Sequence, residues 1–331
     1  MAKEVVGKPS IADFYKKVKA EVGMDDPKPI PYVIPTGSFA LDKAIYIGGY
    51  PGGRIIEIYG PEHSGKTTLA MQACVEAQKM GIIPAYIDME TTLDIPYFKR
   101  MGIKGEANVD WFHFTPQTGE DVFTTIEKMI DFGAKLIIVD SVAAMVAQAE
   151  LNGEMGEAFM GLQARMMGQG MRKSVGPASR GEVTIIFINQ IRMKIGVVFG
   201  NPETTPGGGA LKFFASLRLN IAQVGDEING VDDEGNDGQI GQYSRVKVIK
   251  NKVAPPKRVC QVPILWGKGI AKELELLDEL ILQGFITKSS SYFTYKDVKV
   301  NGKEKMVAYV KENMVDLEAL ISKKLEGQVK A

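Results

Sequence analysis

Short apolar runs rich in β-branched residues recur along the chain and alternate with segments of helical period. RIIEIY at 54–59, AYID at 85–88, LIIVD at 136–140 and VTIIFIN at 183–189 are too uniformly apolar for strands with one wet face. Residues 66–79, 119–132 and 161–175 between them space apolar positions as helices do. This alternation predicts an α/β fold, a mostly parallel sheet flanked by helices on both faces. After Phe213 the pattern changes to a strand pair, 217–222 and 245–250, split by a glycine-rich acidic insert that reads as a solvated loop. From residue 270 a small α+β unit is expected. Its helix spans 272–283, and strands at 292–300 and 305–311 meet at Asn301-Gly302, a strong hairpin dipeptide. A last helix covers 313–325. Residues 10–22 read as a short amphipathic helix, and the proline-rich stretch 26–31 as a linker. The expected division is therefore an N-terminal helix and linker (1–30), a core (31–269) and a small C-terminal domain (270–331).

Length supports more than one unit, because 331 residues exceed what one hydrophobic core usually holds. No apolar run approaches the ~20 residues of a membrane span, and the N-terminus lacks the apolar centre of a signal peptide. Cys74 and Cys260 form no paired framework, so a reduced, cytoplasmic compartment and no membrane are expected. Forty basic and forty acidic residues cancel, which argues against a generic nucleic-acid coat. The charge is segregated, however. No Lys or Arg lies between Leu219 and Ser244, whereas six lysines fall between positions 288 and 311.

GPEHSGKTT, from Gly60 through Pro61, Glu62, His63, Ser64, Gly65, Lys66 and Thr67 to Thr68, fits G-x-x-x-x-G-K-[ST] between a strand and a helix. Glycines let backbone N–H groups converge on phosphates at a helix N-terminus, Lys66 reaches the β/γ-phosphates, and Thr67 can ligate Mg²⁺. His63 is a spacer here. LIIVD ends in Asp140, placed to meet the Mg²⁺ shell through water, and Ser141 can add a hydrogen bond there. A residue must still orient the attacking water. Asp88 and Glu90 share a strand face by period two, and the sequence does not choose between them. IRMKIGVVFGNPETTPGGGALKF, residues 191–213, is basic, apolar and glycine-rich at once, as a nucleic-acid loop would be.

GPEHSGKTTL, AYIDMETTLD, LIIVDSVAAM, MGLQARMMGQGMRK and FINQIRMKIGVVFGNPETTPGGGALKF together, in this order and spacing, closely resemble the bacterial RecA recombinase family. PTGSFALDKAIYIGGYPGGRIIEIYG upstream and SRVKVIKNKVAPP downstream extend the likeness to about residues 30–270. The ends match loosely and no strongly acidic tail is present, which points to a divergent relative such as a phage-encoded one. The resemblance implies a P-loop NTPase core and a single-strand-DNA-dependent ATPase. Such a protein forms helical filaments on single-stranded DNA and exchanges strands with a homologous duplex. It implies ATP and Mg²⁺ as cofactors. It matches Glu90 to the catalytic carboxylate, Asp94 and Tyr97 to the adenine site, Gln190 to the γ-phosphate sensor, and Lys250 and Lys252 to lysines reaching a neighbouring subunit's ATP. Two DNA loops are implied, about 152–161 and 191–209. Arg165, Arg172, Arg192 and Lys194 match phosphate contacts. Met160 and Ile195 match residues wedged between bases, Met193 lies beside them, and Gly207, Gly208 and Gly209 allow close backbone approach. Met166, Met167 and Met171 read as core. Pro206 and Gly209 depart from the family's usual Thr and Asn. The basic terminal unit (Lys288, Lys296, Lys299, Lys303, Lys305) suits a loose hold on duplex DNA. Two other readings of the same core are a ring-forming helicase, marked by unwinding without homology, and a non-catalytic filament mediator, which would lack Glu90 or the loop basics.

Overall fold

The computed structural model describes residues 10–23, 29–154, 161–193, 203–232 and 234–329. Nine strands of the described residues form the central sheet: β1 (Ile55–Gly60), β2 (Pro84–Asp88), β3 (Phe112–Phe114), β4 (Leu136–Asp140), β5 (Thr184–Gln190), β6 (Leu217–Val231), β7 (Asp237–Asn251), β8 (Val259–Leu265) and β9 (Gly269–Ile270). Their order is β9-β8-β7-β6-β1-β5-β4-β2-β3. From β6 to β3 every pairing is parallel, and from β6 to β9 every pairing is antiparallel.

The uniformly apolar strands are buried on both faces. Ile138, Ile186 and Ile188 pack with Leu69, Ala70 and Ala73 of the helix Lys66–Lys79. Their alternates Ile137, Val139, Ile185 and Phe187 face Val122 and Ile126 of the helix Gly119–Phe132, and Met167 and Met171 of the helix Leu162–Arg180. Met166, Met167 and Met171 are buried, as expected of core. Parallel register brings the C-terminal ends of β1, β5, β4 and β2 side by side: Gly60 lies opposite Gln190, and Asp88 opposite Asp140. A ligand site at the carboxyl end of such a sheet follows from this topology.

Two expectations fail. The acidic insert is not a loop, because β6 and β7 are each 15 residues long and pair as far as Val231 and Asp237. Register shifts after Arg218, Gln223 and Ile228 absorb the irregular spacing that hides the pairing in the sequence. Residues 305–311 are not a strand either. They lie in a helix, Lys303–Glu312, that buries Met306 and Val310, one turn apart, against Leu276, Leu277 and Leu280. The terminal sheet is instead Thr287–Ser289, Tyr292–Tyr295 and Val298–Asn301. Its last hairpin turns at Lys296, with φ 50°, and Gly302, with φ 96°, starts the helix.

The N-terminal helix Ile11–Val22 is capped by Ser10, whose hydroxyl accepts from the Asp13 N–H, and it buries no residue. No helix among the described residues is long and apolar enough to cross a membrane.

Candidate functional site

The phosphate loop joins β1 to the helix Lys66–Lys79. Gly65 sits at φ 93° immediately before the helix, a conformation that suits glycine and exposes the first helical N–H groups. β7 braces the loop from the side: Gln242 Nε2 donates to the His63 carbonyl at 2.8 Å and the Ser244 hydroxyl to the Ser64 carbonyl at 2.9 Å. Lys66 Nζ donates to the Pro61 carbonyl at 2.5 Å. Burial lowers its pKa, against the opposing pull of Asp140, Glu90 and Glu62. An anionic ligand would restore the charge complement that a neutral carbonyl does not give.

The Thr67 hydroxyl donates to Asp140 Oδ2 at 2.9 Å, and the buried Tyr86 hydroxyl donates to the same oxygen at 2.7 Å. Burial pushes the Asp140 carboxyl up to about 6. The Tyr86 and Thr67 bonds pull it down, and the negative charges of Glu90 and Asp88 push it up. No cluster of three or more His, Cys, Asp or Glu side chains among the described residues is arranged to hold a metal ion. The Thr67–Asp140 oxygen pair fits the sparse protein ligation of Mg²⁺, which keeps several waters and takes phosphate oxygens.

Asp88 and Glu90 part company. β2 ends at Asp88, and the Met89 N–H donates to the Asp140 carbonyl at 2.7 Å, so the period-two rule stops there. The Asp88 carboxylate turns inward and accepts from the backbone N–H groups of Glu90 and Leu93 at 3.1 and 2.9 Å. Glu90 is exposed and accepts the Ser141 hydroxyl at 2.5 Å.

A cavity of about 520 Å³ opens beside the loop, lined by Lys66, Thr67, Thr68, Tyr97, Gln242 and Trp266 among others. Asp94 caps the helix Ile95–Arg100 through the Tyr97 N–H, and the Tyr97 hydroxyl accepts from the Gly267 N–H at 3.4 Å. Sequence reasoning missed Trp266. The sequence offers only an aromatic residue next to a glycine; the fold leaves it 52% exposed at the cavity.

Gln190 ends β5, and its N–H donates to the Asn189 side chain. Asn189 Nδ2 in turn donates to Glu57 Oε1 at 3.1 Å and the Pro206 carbonyl at 3.2 Å. Glu57 is fully buried and pairs with Arg218 at 2.5 Å. Sequence reasoning missed this network. Two residues past Gln190, Arg192 and Met193 pair with Thr204 and Glu203 in a short antiparallel ribbon that closes the base of the basic loop. Arg192, Met193, Arg165 and Arg172 are exposed. Gly207 and Gly208 adopt φ 80° and 73°, and Gly209 does not. Met160, Lys194 and Ile195 lie outside the described residues, as does the wider part of both loops. Lys250 Nζ donates to the carbonyls of Lys212 and Phe213 at 2.9 and 2.8 Å, and neither it nor Lys252 lines the cavity beside the phosphate loop.

A family profile described as the RecA N-terminal domain matches residues 8–271. The chain is 47% identical over 301 residues to Protein RecA of Geobacter sulfurreducens, covering 90% of this chain and 86% of that one. It is 49% identical over 300 residues to Protein RecA of Treponema denticola, covering 90% and 70%. A crystal structure of the RadB recombinase shares the fold at TM-score 0.53 and 20% identity, over 72% of this chain and 98% of that one.

Proposed function

The chain belongs to the RecA family, and from that premise we propose how its residues carry out ATP-dependent recombination. The protein is a DNA-dependent ATPase acting in recombination and DNA repair. One observation carries the detailed reading: Gln190 lies opposite Gly60 of the phosphate loop and two residues before the ribbon that opens the basic loop. A side chain at that point is within reach of both a terminal phosphate and the DNA-facing segment.

In this reading the loop from Gly60 to Thr68 holds the ATP phosphates, with Lys66 as the countercharge. Tyr97, Asp94 and Trp266 hold the base. Thr67 and Asp140 hold Mg²⁺, which when bound neutralises charge on the phosphate oxygens. Glu90, fixed by the Ser141 hydroxyl, orients the attacking water. Lys250 and Lys252 reach the ATP of the next subunit in a helical filament. The helix Ile11–Val22, with Ile11 and Phe14 exposed, supplies an apolar face for that subunit contact. Arg165, Arg172, Arg192 and Lys194 hold the phosphates of single-stranded DNA, and Met160 and Ile195 separate its bases. The homologous duplex then docks against the lysines of the domain from residue 270 onward. Several of those lysines lie over aromatic rings, Lys299 over Tyr292 at 4.9 Å for instance.

The test is ATP turnover with and without single-stranded DNA, for the parent and Lys66→Ala. Stimulation in the parent and loss of turnover by more than about 100-fold in Lys66→Ala are expected. A parent that ignores DNA would overturn the reading.

A further inference from the structure

Gln163 lies at the start of the helix Leu162–Arg180 and does not line the cavity beside the phosphate loop. It is half-buried, and its side-chain amide is fully used. Nε2 donates to the carbonyls of Val142 and Met145 at 2.9 and 3.0 Å, and Oε1 accepts from the Gly207 N–H at 3.2 Å. Two acceptors and one donor are a set that a primary amide satisfies and that neither a carboxylate nor an apolar side chain does.

The three partners sit on different parts of the machinery. Val142 directly follows Ser141, whose hydroxyl holds Glu90. Gly207 directly follows Pro206, whose carbonyl accepts from Asn189, the neighbour of Gln190. Gln163 therefore completes a continuous bonded chain running Glu90, Ser141, Val142, Gln163, Gly207, Pro206, Asn189, Gln190. Gly207 is itself closely packed: it is buried at φ 80°, and a Cβ there would lie 3.1 Å from both Met167 and Val142. Gln163 is thus the polar fastening of the glycine end of the second loop. Arg165 lies two residues on along the same helix.

We propose that Gln163 is a positioning residue that couples the DNA loops to the hydrolytic site, so that DNA held by the loops and nucleotide at Glu90 and Gln190 favour each other. This rests on the roles proposed above for Glu90 and the second loop. Coupling of this kind is reciprocal and commonly amounts to about 5- to 150-fold.

The test uses the full chain with Gln163→Leu, which leaves the Gly207 N–H without its acceptor. A second variant, Gln163→Glu, sets a carboxylate oxygen against two carbonyls and carries the test should the first fail to fold. Oligo-dT affinity is measured by anisotropy with a slowly hydrolysed ATP analogue and with ADP, beside turnover with and without oligo-dT. The ratio of the two affinities and the DNA stimulation should each fall about tenfold. DNA-free turnover and the KM for ATP should stay within about twofold of the parent. A variant that keeps the parent's affinity ratio, or loses DNA affinity equally in both nucleotide states, overturns the role of Gln163. A parent without stimulation would instead overturn the functional reading on which it rests.

Discussion

Removing one oxygen from the core probes the proposed Mg²⁺ site without touching a residue assigned to bind substrate. The Tyr86 hydroxyl donates to Asp140 Oδ2 at 2.7 Å, and Tyr86 is 1% exposed. Tyr86→Phe keeps the ring, which packs against Phe98 at a centroid distance of 5.9 Å. A hydrogen bond to a charged acceptor contributes ~1.5–3 kcal/mol. Here it favours the ionised carboxylate, so its loss raises the ratio of protonated to ionised Asp140 by about 10- to 100-fold. Thr67 still donates to the same oxygen, which places the expectation at the lower end. The Asp140 carboxyl sits at about 6 in the parent, so at pH 7 about 90% of it is ionised. In the variant that fraction falls to about 50%, or about 10% at the upper end of the range.

An ionised Asp140 is what the proposed Mg²⁺ site requires, so the pH dependence of kcat/KM for ATP reports it directly, as a property of the free enzyme. With Mg²⁺ supplied only as the ATP complex and single-stranded DNA present, the parent should lose activity as pH falls through about 6. The variant should lose it about one to two pH units higher and recover the parent's plateau near pH 9. A plateau lowered uniformly, with acid limbs that superimpose, would refute the assignment of Asp140.

Two further predictions concern stability. Burial raises the carboxyls of Asp42 and Glu275 to about 7 each, whereas unfolded they titrate near 4. The folded state therefore holds these protons more tightly, and the stability they confer is complete below about pH 4 and lost as pH rises through about 7. Glu76, pushed up by burial but pulled below its usual value by Lys272 and Lys79, runs the other way. Asp42→Asn retains an acceptor for the Thr36 N–H and abolishes the ionisation, so its Tm relative to the parent should be a few degrees higher at pH 8 than at pH 5; an equal difference at both pH values would contradict the shift. Arg218→Ala leaves the buried Glu57 without its countercharge, with only the Asn189 amide remaining, and should cost about 3–5 kcal/mol in chemical denaturation. A loss under about 1 kcal/mol would mean that water reaches the Glu57 carboxylate.

How far the sequence could be read depended on the range of the interactions. The strands IIEIYG, LIIVD and TIIFINQ were legible because burial on both faces writes itself into each residue, and the phosphate loop because its chemistry is contiguous. Tyr86 was not legible as a site residue, since a tyrosine in an apolar strand reads as core until Asp140 is placed beside it. Arg218 likewise reads as an ordinary polar strand position, and only the parallel pairing with β1 sets it against Glu57. In the helix Lys303–Glu312 the sequence MVAYV suits a strand by composition. What decides it is a partner far away, the helix Lys272–Leu282, which offers Met306 and Val310 one apolar surface.

The departures at Pro206 and Gly209 show the same limit from the other side. Both are differences from the family's usual residues inside the proposed DNA loop, and composition alone makes them equally suspect. Gly209 has an ordinary right-handed conformation, φ −86°, and nothing within 4 Å of where a Cβ would stand. Glycine is thus not required there, and Gly209→Asn should fit without strain. Gly208 is different: at φ 73°, with the Ala164 Cβ only 2.8 Å from an added Cβ, it tolerates no side chain. Pro206 lacks the N–H and the hydroxyl of threonine and has its φ fixed by the ring, but the bond that ties the loop to Asn189 uses its carbonyl, which proline retains. The loop's fixed points are therefore Gly207, Gly208 and the Pro206 carbonyl, and the two departures leave that framework in place.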